Sequence, residues 1–147
     1  MSRVTCYLSP PLNFWLVKSE PAAYSFADLE RDGRTDWTGV RNHQARACLA
    51  RMAPDDLVLV YHSVTDKEVV GVARVVGPPA PDRTAEPGTP WVAVDLAPHQ
   101  RLPRPVPLAA IKADARLQQI GLLRQSRLSV MPLTPEEFDA VLALGHE

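Results

Sequence analysis

Residues 57–63 (LVLVYHS) limit the possible folds, because apolar side chains occur on both faces of the strand that they predict. Such a strand must be covered on both faces, so we expect it in the middle of a sheet. Residues 68–76 predict another strand, and Gly71 within it predicts a bulge or a close contact. Shorter runs of aromatic and β-branched residues at 13–18 and 91–96 predict further strands.

Capping residues predict where helices begin. Ser25, with Asp28 three residues later, is typical of a helix start. Asn42 is a suitable N-cap for a second helix, whose apolar residues recur at helical spacing from Ala45 onward. Thr134, followed by proline and two glutamates, predicts the start of the last helix.

Prolines mark the connections between these elements. Residues 77–90 contain five prolines and are predicted to form a loop. Residues 101–107 (RLPRPVP) predict an edge strand or an extended arm, since proline donates no ladder hydrogen bond. Short helices and several strands together predict an α/β (α+β) fold, with a strongly curved antiparallel β-sheet or small barrel and short helices packed around it.

Length, charge and cysteine content limit the classes of function that the chain can have. The 147 residues correspond to one domain, and the net charge of −1 argues against binding nucleic acid by charge alone. Residues 98–130 nevertheless contain six basic residues and one acidic residue. The two cysteines lack metal-ligand spacing, and no apolar run is long enough to span a bilayer. We expect a cytoplasmic, monomeric protein with no metal, no cofactor and no membrane partner.

Residues 37–46 (WTGVRNHQAR) suit a planar or anionic ligand. Trp37 offers a flat surface, Arg41 a fork of donors and Asn42 a donor and an acceptor. Gly39 permits a close approach or a positive φ. A buried tryptophan, a surface arginine and a helix cap explain the same residues without a ligand, and the residues alone leave both interpretations open.

Several motifs, in this order, resemble the EVE domain family (DUF55) of the PUA-like superfamily. The matching segments are residues 14–21 (FWLVKSEP), 37–46, 61–63 (YHS), 70–73 (VGVA), 102–106 (LPRPV) and 128–132 (LSVMP). The resemblance implies a PUA-like fold, related to the YTH readers of methylated adenine. It divides the chain into a flexible extension at residues 1–12 and an EVE domain at residues 13–147. His43 departs from the family pattern, which commonly has tyrosine there.

The resemblance also implies a function, as a non-catalytic reader of modified nucleobases, most of all C5-modified cytosine in DNA or RNA. The base would be flipped into an aromatic pocket, since a reader needs aromatic walls and a few polar groups for the base edge. The pocket residues are then Trp15, Lys18, Ser19, Trp37, Gly39, Val40, Arg41, Asn42, Tyr61, His62, Ser63, Leu128 and Ser129. The residues expected to contact the phosphate backbone are Arg46, Arg124 and Arg127.

Other functions remain open on the residues alone. The same fold could sense a small molecule or a nucleotide, and the proline-rich residues 98–107 could dock another protein. An enzyme is disfavoured, because the chain contains no G-x-S-x-G elbow, no zinc deaminase signature and no phosphate-binding glycine loop.

Overall fold

The computed structural model of the chain describes residues 13–146, so the predicted extension at residues 1–12 lies outside the described residues. The strands are β1 (Phe14–Ser19), β2 (Thr35–Trp37), β3 (Leu57–His62), β4 (Glu68–Val75), β5 (Ala80–Pro81), β6 (Val92–Pro107) and β7 (Val130–Leu133). The helices are α1 (Phe26–Asp32), α2 (His43–Arg51), α3 (Leu108–Ala113), α4 (Gly121–Arg124) and α5 (Pro135–Gly145), with a 3₁₀ turn at Ala115–Leu117. Among residues 13–146, none of the helices has both the length and the apolar character needed to cross a membrane.

The strands form one curled sheet in the order β2-β6-β4-β3-β1-β7, and β5 pairs separately with β6. β3 lies inside this sheet between β4 and β1, as the apolar residues 57–63 predict. The sheet is mixed rather than purely antiparallel, because β1 runs parallel to β3 over all six residues. Each of the other pairs described is antiparallel.

The predicted strand at residues 91–96 and the predicted arm at residues 101–107 are one continuous strand, β6, of 16 residues. Residues 94–96 of this strand pair with β2, and residues 96–107 pair with β4. The register shifts between Val69 and Gly71 and again between Val72 and Ala73. These irregularities accommodate the prolines of β6, which have no ladder donor. Two short strands, β2 and β5, form where the sequence predicts none.

The predicted helix starts are confirmed. Ser25 and Thr134 each accept a backbone hydrogen bond and form a capping box, at the starts of α1 and α5. The Asn42 side chain accepts from the Ala45 N–H at 2.9 Å and caps α2. The close contact predicted at Gly71 is also confirmed, since a Cβ there would lie 2.5 Å from Cζ of the buried Phe26 ring.

Candidate functional site

A cavity of about 440 Å³, here called the aromatic cavity, opens beside the end of β1 and the short strand β2. Its lining residues are Lys18, Ser19, Ala23, Tyr24, Thr35, Asp36, Trp37, Thr38 and Arg83. The volume lies within the range of ordinary ligand pockets. β1 and β2 do not pair and lie far apart in the strand order, so the curl of the sheet brings them to the same cavity.

Tyr24 and Trp37 form adjacent aromatic walls of this cavity. Their rings meet edge to face, with centroids 6.3 Å apart and planes at 83°, an arrangement that ring quadrupoles favour. Trp37 is only 9% exposed, so it is both a core residue and a cavity wall. Its indole N–H has no acceptor among residues 13–146, and the nitrogen is not among the fully buried atoms that lack a partner, so it is reachable from the cavity. This donor is left available to a ligand.

Ser19 and Lys18 have their side chains engaged by main-chain carbonyl groups. The Ser19 hydroxyl donates to the Tyr24 carbonyl oxygen at 2.6 Å, and the Lys18 ammonium donates to the Ser126 carbonyl oxygen at 2.6 Å. Burial lowers the pKa of Lys18. Within the described part of the chain no carboxylate pairs with Lys18. Its positive charge is therefore not neutralised by an acidic side chain.

Asp36 supplies an acceptor to the aromatic cavity. Arg83 Nε donates to Asp36 Oδ2 at 2.6 Å, and Arg83 Nη2 donates to Oδ1 at 3.3 Å. The hydrogen bond from Arg83 lowers the pKa of Asp36 below the ordinary value of a carboxyl group. Asp36 is therefore ionised at neutral pH, and an ionised carboxylate only accepts hydrogen bonds.

Asp82 fixes the segment that carries Trp37. The Gly39 N–H and Arg41 Nη1 both donate to Asp82 Oδ2, at 2.8 Å and 3.0 Å. Gly39 has a φ of 84°, which favours glycine. Burial raises the pKa of Asp82, but hydrogen bonds outweigh it and hold this pKa well below its usual range. The donors are the Thr84 hydroxyl, the N–H groups of Gly39 and Thr84, and Arg41. This carboxylate is thus a fixed anchor.

A second cavity of about 330 Å³, here called the polar cavity, neighbours the aromatic cavity through Lys18 and Ser126. It lies between the start of α2 and the loop before β7. Its lining residues are Asn42, Gln44, Gln125, Ser126, Arg127 and Leu128. These amide, hydroxyl and guanidinium groups can donate hydrogen bonds to an anion.

Comparison with known proteins identifies the family. The model of the EVE domain matches residues 13–144. The chain belongs to the EVE domain family. Mouse thymocyte nuclear protein 1 is 32% identical, over 90% of this chain and 73% of its own length.

Two solved structures are similar to this EVE domain over nearly their whole length. A protein from Agrobacterium tumefaciens superposes with a TM-score of 0.89 at 39% identity, covering 90% of this chain and 92% of that chain. The human THYN1 protein in complex with 5-methylcytosine-containing DNA superposes with a TM-score of 0.86 at 31% identity, covering 92% and 98%. The predicted PUA-like fold is therefore confirmed.

The predicted pocket residues of this EVE domain fall into separate groups. Lys18, Ser19 and Trp37 come together in the aromatic cavity, whereas Asn42 and Leu128 line the polar cavity. Two others serve as main-chain or packing positions: Ser129, whose carbonyl oxygen accepts from the Lys18 N–H at 3.0 Å, and Val40, which is buried in the core.

Arg41 and Gly39 do not line the aromatic cavity. The Arg41 guanidinium also donates to the Thr84 hydroxyl at 3.2 Å, so much of its donor fork is occupied by the protein. Asp82 pairs with this guanidinium, and a contact between Arg41 and a base stays a prediction.

Trp15 lies away from the aromatic cavity and instead lines a separate cavity of about 200 Å³ beside Phe14 and Arg51, so its role in binding a base stays a prediction. It is 3% exposed, between β3 and β7, and its indole N–H donates to Asp56 Oδ2 at 3.0 Å. The guanidinium carbon of Arg51 lies 5.4 Å from its ring centroid. Trp15 therefore belongs to the core, with its hydrogen bond satisfied by a buried carboxylate.

Tyr61, His62 and Ser63 also stay outside the cavity. Tyr61 is buried in β3, and the Ser63 N–H donates to the Ser19 carbonyl oxygen at 2.9 Å. His62 Nε2 accepts from the N–H of Phe26 at 3.0 Å, so the neutral ring caps the start of α1. Burial lowers the pKa of His62, which favours that neutral form. This motif holds α1 against the sheet.

The three arginines predicted to contact phosphates differ in their surroundings. Arg127 lines the polar cavity, and Arg124 is exposed at the end of α4. Arg46 is half-buried, and its Nε is buried without an acceptor among the described residues. None of the three pairs with a carboxylate within residues 13–146.

The sequence interpretation missed Tyr24, Asp36 and Arg83. Tyr24 lies three residues after the FWLVKSEP segment and directly before the N-cap Ser25. An aromatic residue so close to a family motif could have been predicted to line the same site. No local pattern singles out Arg83, because its partner lies 47 residues earlier in the chain.

Proposed function

We propose that this chain is a non-catalytic reader of a C5-modified cytosine, with 5-methylcytosine in DNA as the first candidate. The observation that carries this proposal is the aromatic cavity, which is walled by Trp37 and Tyr24 and built from the FWLVKSEP and WTGVRNHQAR segments. The human relative crystallised with 5-methylcytosine-containing DNA supports the choice of base. A C5-modified cytosine in RNA is the alternative ligand for the same cavity.

The groups of the cavity match the edge of a flipped cytosine. Cytosine presents an exocyclic amino group that donates hydrogen bonds, and carboxylates accept from it. In our proposal the Asp36 carboxylate accepts this hydrogen bond, and the Trp37 N–H donates to an acceptor on the base. Thymine carries a carbonyl oxygen in place of the amino group. Repulsion between that oxygen and Asp36 then disfavours thymine, although thymine carries the same methyl group.

Phosphates flanking the flipped base would meet the positive charges beside the two cavities. Lys18, Arg124 and Arg127 have no carboxylate partner among the described residues, so binding a phosphate breaks no ion pair. Contacts of this kind hold the strand in place but carry no sequence information.

Binding without turnover is consistent with how the reactive groups are used. The Ser19 hydroxyl donates to a main-chain carbonyl instead of a base, and the His62 ring nitrogen is occupied by a main-chain N–H. Because of these two contacts, neither a carboxylate nor the His62 ring accepts the proton of the Ser19 hydroxyl, and nucleophilic catalysis by a hydroxyl requires such a general base. Among residues 13–146 no group of three or more His, Cys, Asp or Glu side chains is placed to hold a metal ion.

A panel of matched oligonucleotides tests the proposal. It contains duplex and single strands of DNA and RNA with cytosine, 5-methylcytosine or thymine at one position, and affinity is measured by fluorescence anisotropy at one fixed salt concentration. We expect tighter binding to strands with 5-methylcytosine than to either other base. Equal affinity for all three bases, or no binding, overturns the proposal. Competition by free nucleotides alone would favour a small-ligand sensor, and conversion of any ligand would favour an enzyme.

A further inference from the structure

We propose that His43 is a stacking platform for the nucleobase adjacent to the recognised one. This inference rests on the proposed function and extends it to a neighbouring nucleotide. His43 is the first residue of α2, and its ring stacks on the indole of Trp91, with centroids 4.8 Å apart and planes at 27°. The guanidinium carbon of Arg41 lies 5.7 Å from the same indole centroid. A small stack of flat groups thus stands at the surface.

His43 is the exposed ring of this stack. Trp91 is half-buried and covers one face of the His43 ring, yet His43 itself is exposed, so the exposed part of the ring lies away from Trp91. A flat ring held from behind by a second ring is already oriented for stacking. Bases of any sequence stack on such rings, because every base has a π-face.

The platform is placed beside both cavities. Thr38 lines the aromatic cavity, while Asn42 and Gln44, the residues on either side of His43, line the polar cavity. A strand that delivers one base to the aromatic cavity and contacts the polar cavity would pass this segment. Flipping a base also removes a stacking partner from its neighbour, which is unfavourable. The His43 ring offsets part of that loss by stacking on the neighbour.

The competing explanation is that His43 only covers Trp91. The two roles are separated by short duplex DNA with one 5-methylcytosine, either intact or with an abasic site directly 5′ or 3′ of it. For the wild-type chain we expect one of the two abasic duplexes to bind about fivefold more weakly, the lower end of the stacking range. His43→Ala should bind the intact duplex more weakly by a similar factor and show no further loss with that abasic duplex. His43→Tyr should restore the wild-type pattern.

His99→Ala is the matched control. His99 is another exposed histidine, and it lies in β6 between the residues that pair with Val72 and Ala73, about 25 Å along the strand from Trp91. This variant should bind every duplex like the wild type. The inference is overturned if His43→Ala binds the intact duplex normally, or if it remains as sensitive to the abasic site as the wild type. A wild-type chain that binds methylated and unmethylated duplexes equally overturns the proposed function as well.

Discussion

Trp37→Phe should weaken binding of a methylated oligonucleotide more than Trp15→Phe does, whereas Trp15→Phe should lower the free energy of unfolding more than Trp37→Phe does. Phenylalanine at position 37 keeps an aromatic wall but removes the indole N–H, which has no acceptor within the described protein. If that N–H donates to the base, its loss costs about 0.5 to 1.5 kcal/mol. Affinity for 5-methylcytosine DNA should then fall by about two- to twelvefold.

The indole N–H of Trp15, unlike that of Trp37, has an acceptor within the protein. It donates to Asp56, a residue that is only 2% exposed. The Asp56 carboxylate also accepts from the backbone N–H groups of Ala53 at 3.0 Å and Asn13 at 3.2 Å. Removing one donor from a buried carboxylate costs about 1 to 3 kcal/mol. For a chain of this size that lowers the melting temperature by roughly 3 °C per kcal/mol.

Both variants are assayed in the same way. Urea unfolding gives the free energy of unfolding, and fluorescence anisotropy gives the affinities for cytosine and 5-methylcytosine duplexes at a temperature where both variants are folded. A folded Trp37→Phe variant with unchanged affinity would show that the base does not accept from this N–H. A folded Trp15→Phe variant that loses its preference for the methylated base would show that the recognition site includes Trp15, contrary to the assignment made from its burial.

Four further perturbations follow from the structure. Asp36→Asn should bind thymine and 5-methylcytosine with more similar affinities, because an amide can donate to the thymine carbonyl oxygen; competition anisotropy with the two oligonucleotides measures this, and an unchanged ratio contradicts the role of Asp36. Gly71→Ala should lower the free energy of unfolding by about 1 to 3 kcal/mol, since the added Cβ would lie 2.5 Å from the Phe26 ring; urea unfolding without a loss of stability would mean that the ring moves easily. The free energy of unfolding should fall as the pH drops below 6.5, because burial lowers the pKa of His62 and the unfolded chain then binds more protons; His62→Gln should flatten this dependence in urea unfolding, and an equally steep curve would assign it to other groups. Arg127→Glu should weaken methylated and unmethylated oligonucleotides by similar factors and reduce the salt slope by about one unit; a selective loss for the methylated strand in salt titrations would place Arg127 at the base.

Short-range features of this protein are visible in the sequence. The caps at Ser25, Asn42 and Thr134 involve residues three positions apart, so the side chain and its partner occur together in the chain. The interior position of β3 follows from apolar residues on both faces of one strand. The motifs of the EVE family likewise occur as contiguous segments, and they indicated both the fold and the kind of ligand.

Tertiary structure decided which motif residues face the aromatic cavity. Trp15 and Trp37 are equivalent as residues beside family motifs, but pairing of β1 with β3 and β7 buries Trp15 and brings it to Asp56, 41 residues away. Arg41 likewise donates a hydrogen bond to Asp82, 41 residues away in the chain, and Arg83 donates to Asp36, 47 residues away. Partners this distant are set by strand order and register, because no pattern within a few residues of the chain encodes which strands become neighbours.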